Sequence, residues 1–104
     1  MIGIMAEVLP LNPSPEDMAR HVNRLAEDSK NVVITHHARD RMGERRITSR
    51  HLMTCLRKGR VIEGPYKAVN GDWRCTMVRA VSGMDITAAI AVNFEDDLIV
   101  VTVF

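Results

Sequence analysis

A chain of 104 residues, 46% hydrophobic and 26% charged, is sized for one soluble domain with a modest core. Two cysteines outside any CxxC pair exclude a secreted disulfide scaffold, and no apolar run approaches the ~20 residues of a membrane span. Aromatic residues, at 4%, are too few for a protein that works by stacking single-stranded bases, and the net charge of +1 hides an imbalance: residues 35–60 carry +6 and the remainder −5.

Residues 1–13 read as a flexible N-terminal arm, because Pro10 and Pro13 oppose regular structure, and residues 14–104 as a single domain. The opening MIGIMAEVLPL has no basic segment ahead of a long apolar one, so it is not a signal peptide. With Cys55 and Cys75 expected as reduced, buried thiols, the expected location is the cytoplasm. Ser14 is a suitable cap for a first helix, Pro15 fits its first position, and Glu16 and Asp17 favour the positive end of its dipole. Met18, Val22, Leu25 and Ala26 then share one face, and the helix fades near 28–31. VVIT at 32–35 is either a short strand or an extended lead-in.

A second helix is predicted over His37–Glu44, with Thr35 as its cap, and a third over 49–58, capped by Thr48 and left through Gly59 in the left-handed conformation. Beyond Gly59 the apolar period changes from 3.6 to 2. VIEGPY (61–66) begins a sheet, Asn70-Gly71 predicts a type I′ hairpin, and Trp73, Cys75 and Met77 share one strand face. Ser82-Gly83 makes the next turn, and Ile86, Ala88, Ile90 and Val92 alternate with Thr87, Ala89 and Ala91. The small residues of that second face leave room for a helix. LIVVTVF (98–104) is apolar on both faces and predicts a central strand. The expected fold is α+β: N-terminal helices followed by a four-stranded antiparallel meander.

Function points to the second helix. His37, Arg41 and Arg45 fall in one row beside the narrow apolar stripe of Ala38 and Met42. Arginine presents a planar fork of donors that fits phosphate oxygens, and histidine exchanges protons near neutral pH. Metal-free RNA cleavage needs that combination of proton exchange and fixed positive charge. The competing reading is structural: arginine stems cover the core edge while their heads bind Glu63 or the acids at 95–97. The repulsion between Arg41 and Arg45 costs only ~0.2–0.5 kcal/mol, so it demands no function. His51 and Cys55 have the spacing of two metal ligands, but no CxxC or HExxH accompanies them, so no metal or other cofactor is expected. The second and third helices also suggest a helix-turn-helix, in which Arg50, Arg57 and Lys58 would touch phosphates.

The pattern His37-Ala38, Arg41-Met42, Arg45, Ile47, a short helix ending in Lys58-Gly59, and a terminal VVTVF strand resembles the bacterial domain-of-unknown-function 4258 family over about residues 32–104. Its order of helices and strands is similar to that of RelE-like and BrnT-like toxins, small ribonucleases of toxin–antitoxin systems. The resemblance implies an RNA-directed role or an inactive relative of one, with His37 exchanging protons and Arg41, Arg45 and Arg74 holding phosphate. It implies RNA and an acidic antitoxin-like protein as partners. The alternative is a non-catalytic module that binds protein or nucleic acid through the basic segment 37–58. A homodimer through a strand edge, anchored by Tyr66 and Trp73, also fits, and nothing calls for a membrane.

Overall fold

The computed structural model describes residues 9–104. Helix α1 spans Pro15–Leu25 and begins with a full capping box. The Ser14 hydroxyl accepts from the Asp17 amide, and the Asp17 carboxylate accepts from the Ser14 amide, both at 3.0 Å. Those bonds hold the Asp17 carboxyl below its usual range. Met18, Val22 and Ala26 are fully buried, so α1 presents the predicted apolar face to the core. Of the proposed arm, residues 1–8 lie outside the described residues. Leu9 packs against the core and Pro13 is buried.

Strand β1 covers Val32–Ile34, helix α2 His36–Arg45 and helix α3 Ser49–Lys58. Thr35 caps α2 by accepting from the Ala38 amide at 3.1 Å. The same hydroxyl donates to the Val100 carbonyl at 2.9 Å, which pins the start of α2 to the last strand. Thr48 caps α3 in a box closed by His51. Strands β2 (Arg60–Lys67), β3 (Trp73–Val81), β4 (Met84–Val92) and β5 (Leu98–Val103) form the predicted antiparallel meander.

Among the described residues the sheet has five strands, not four, and it is mixed, in the order β1-β5-β4-β3-β2. Val32, Val33 and Ile34 pair in parallel with Leu98, Ile99 and Val100. A parallel pair requires a long crossover, here everything from α2 to β4, and no local pattern announces it. β5 is thereby enclosed by β1 and β4, as its two apolar faces require.

Three further expectations change. Gly59 has an extended backbone (φ −78°, ψ 172°); its small size matters instead, since a Cβ would sit 2.3 Å from the Cys55 carbonyl oxygen and 2.8 Å from that of Val78. The β2–β3 hairpin is not a two-residue type I′ turn at Asn70-Gly71. Its loop runs from Ala68 to Asp72, with the Gly71 amide donating to the Ala68 carbonyl at 2.9 Å. Gly71 alone takes positive φ there, the longer-loop solution to matching strand twist. Both central residues of Ser82-Gly83 have positive φ, so the type I′ geometry occurs at that hairpin. Finally, the core face of the sheet is the one bearing Cys75, Met77, Ile86, Ala88 and Ile90, buried with the apolar faces of all three helices. On the opposite face Thr76, Thr87 and Ala89 are half-buried and Ala91 is buried outside the core cluster of the helices.

The register defines two ends of the sheet. Lys67, Trp73, Val92, Leu98 and Val32 are level at one end, next to the 68–72 and 93–97 loops. Val61, Met77, Ala88 and Val103 are level toward the other. α3 lies across this second end. The Cys55 thiol donates to the Ile86 carbonyl of β4 at 3.3 Å, and Gly59 abuts Val78 of β3.

Candidate nucleic-acid interface

Helix α2 buries only Ala38 and Met42, so most of its circumference faces solvent. Arg46 ends it in the left-handed conformation (φ 58°), which turns the chain so that Ile47 returns to the core. His37 and Arg45 are exposed and have no hydrogen-bond or ion-pair partner among the described residues. Arg41, between them, is half-buried. Its Nε donates to the Val103 carbonyl and its Nη1 to Glu44, each at 3.4 Å. The Glu44 contact is a surface pair with little hold on the guanidinium. Arg41 thus marks where the row meets the end of β5. Neither Glu63 nor the acids at 95–97 take up these arginines. Glu63 accepts from the Thr76 hydroxyl at 3.2 Å, and residues 95–97 belong to the far end of the sheet.

Arg74 does not join the row. Strand alternation puts it on the face opposite Cys75 and Met77, level with Tyr66, Ala91 and Ile99. That level is about 13 Å along the strands from Val103 at ~3.3 Å per residue. Its Nε is buried without a partner among the described residues. The other histidines have local roles. His36 lies 3.9 Å from Asp40. His51 accepts from the Thr48 amide through Nδ1 at 3.2 Å. Cys55 is turned into the core, so it does not share a ligand site with His51. Among the described residues no group of three or more His, Cys, Asp or Glu is placed to hold a metal ion. No described helix is long and apolar enough to cross a membrane.

α3 carries the positive charge onward. Arg57 is structural, donating to the Ala26 carbonyl at 2.8 Å and tying α3 to α1. Arg50 at its start and Lys58 at its end are exposed, as is Arg60 just beyond. Lys58 and Arg60 line a cleft of about 410 Å³ with Val78, Arg79, Ala80 and Asp85. Arg79 comes from β3, and only the pairing of Arg60 with Val78 brings it here, so reading along the chain missed it. The basic segment is therefore a rim running along one end of the sheet, from α2 across α3 to β2.

A second cleft, of about 340 Å³, opens at the other end of the sheet among Leu9, His21, Trp73, Val92, Phe94 and Asp96. His21, at 8% exposure, lies 3.2 Å from the Asp96 carboxylate, and Lys67 lies 5.4 Å from the centre of the Trp73 ring. His21 escaped sequence reading because its partner is in a loop more than seventy residues away.

No curated protein and no solved structure matches the chain. The family model described as "Domain of unknown function (DUF4258)" matches residues 34–104, which takes in α2, α3 and strands β2–β5 and leaves α1 outside. The chain belongs to the DUF4258 family.

Proposed function

We propose that this protein is an RNA-binding module that grips the phosphate backbone with the basic rim. The observation that carries this reading is the row on α2: His37 and Arg45 stand exposed beside Arg41, without a partner among the described residues. The guanidinium of Arg45, on a rigid helix, retains its full set of donors for phosphate oxygens and needs no internal ion pair broken first. Contacts of this kind give affinity without choice of sequence, consistent with a rim that has few aromatic platforms.

A second reading is a metal-independent ribonuclease of the RelE/BrnT-like toxin kind. The adjacency of His37 to two arginines favours it, since a proton-exchanging group would then sit beside the phosphate it acts on. Against it, no described residue orients the His37 ring, and Arg74 stands on the other sheet face, so the binding reading leads. An acidic antitoxin-like protein would compete with RNA for the same rim.

One experiment tests both readings. Labelled RNA is titrated with protein in EDTA, with anisotropy reporting binding and a gel reporting cleavage. The module predicts binding whose affinity falls steeply with salt, weakened by Arg45→Ala, with the RNA intact. Cleavage that disappears in His37→Ala, with folding unchanged, establishes the ribonuclease instead. No binding at low salt removes both.

A further inference from the structure

We infer that the Lys58–Arg60–Arg79 cleft is a second phosphate site on the same rim, so the ligand is an extended RNA strand and not a single nucleotide. This inference rests on the RNA-binding reading above. Three cations converge on the cleft from three places: the end of α3, the start of β2 and the end of β3. Arg79 is held in position, its Nη1 donating to the Lys58 carbonyl at 3.3 Å, and its remaining donors have no partner among the described residues. Lys58 and Arg60 are exposed. Among the described residues Asp85 is the one acid lining the cleft, and it forms no ion pair with any of the three. A cluster whose role was to stabilise the fold would be neutralised, whereas this one keeps a net positive charge around an open volume that can admit a phosphate.

The spacing to the first site sets the ligand's length. Arg41 meets the rim at β5 and Arg60 opens β2, three strand steps away and about 14 Å at the usual ~4.8 Å spacing. Helix α3, with ten residues, covers about 15 Å of that rim at ~1.5 Å per residue. At ~3.4 Å per phosphate in a stacked strand, the two sites are about four to five phosphates apart. A mononucleotide or dinucleotide reaches one site, and a longer strand engages both through the effective concentration its own backbone creates.

The test is a ladder of labelled RNA oligonucleotides, from dinucleotide to decanucleotide, bound to the full chain and followed by anisotropy at several salt concentrations. Wild-type affinity is expected to step up as the length passes about four to five nucleotides. The double variant Lys58→Gln, Arg60→Gln is expected to flatten that step and lower the salt slope by about two. Asp85→Asn, which removes the opposing charge, is expected to tighten long oligonucleotides severalfold. Wild-type binding in which the double variant keeps both the length step and the slope overturns the second site while leaving the α2 reading intact. Absence of wild-type binding at every length overturns both.

Discussion

The two ends of the sheet are built from the same strands, yet they solve opposite electrostatic problems. At the end where β3 finishes and β4 begins, Arg41, Arg45, Arg50, Lys58, Arg60 and Arg79 gather with few acids, and most of them are exposed and without a side-chain partner among the described residues. At the end where β5 begins, Glu95, Asp96 and Asp97 share a tight loop whose backbone and part of whose side chains are tied by internal hydrogen bonds. Asn93 accepts from the Glu95 and Asp97 amides at 3.0 and 2.9 Å, its own amide group donates to the Asp97 carboxylate, and Asp96 meets His21. Paired polar groups make structure, and unpaired like charges on a rim make a field that reaches ~8 Å into solvent at physiological salt. The difference teaches where to look for a ligand: at the end whose side chains the fold leaves uncommitted.

The largest expected effect tests whether α3 holds the basic end together. Leu56 is fully buried on the inner face of α3, and Leu56→Ala should cost about 2–5 kcal/mol in urea unfolding. A cost below 1 kcal/mol would mean that α3 is not packed as described. Next comes Gly59→Ala, which forces a methyl onto two backbone carbonyls where α3 passes into β2. It should cost about 1–3 kcal/mol and disturb the rim, while a matched Gly43→Ala, which meets nothing within 4 Å, should not destabilise.

The cysteines report on the core shared by both ends. Burial pushes both thiols up to about 12 from the ordinary 9.0. The unfolded chain therefore loses these protons first as pH rises. Stability from this source is intact below about pH 9 and declines between 9 and 12. Near neutral pH neither thiol should react with a thiol reagent faster than the protein opens, and both should react at once in denaturant. Smaller still is the acid side. The depressed Asp17 carboxyl supports α1 above its ordinary value of 3.8 and withdraws that support as pH falls through its lower folded value. Asp17→Asn should blunt this acid dependence, measured as the pH profile of the thermal midpoint.

Much of this was legible along the chain because it was local. Ser14, Thr35 and Thr48 cap helices through bonds spanning three residues, and the His37–Arg41–Arg45 row follows from helical period alone. What stayed hidden depends on pairing at a distance. β1 is three residues whose partner is at the far end of the chain, Arg79 and Asp85 reach Lys58 only through strand register, and the separation of Arg74 from the α2 row depends on which sheet face the helices cover. At Gly59 the chain needs small size rather than left-handed freedom, a requirement set by the Val78 carbonyl of a distant strand.

The decisive measurement is a titration of isotope-labelled protein with a short RNA, following the backbone amide and arginine side-chain resonances by NMR. Shifts concentrated at Arg41, Arg45, Arg60 and Arg79, with the 93–97 loop and Arg74 unmoved, are the predicted result. Shifts centred on the His21–Asp96 cleft or on the sheet face around Arg74, with the rim silent, would contradict it.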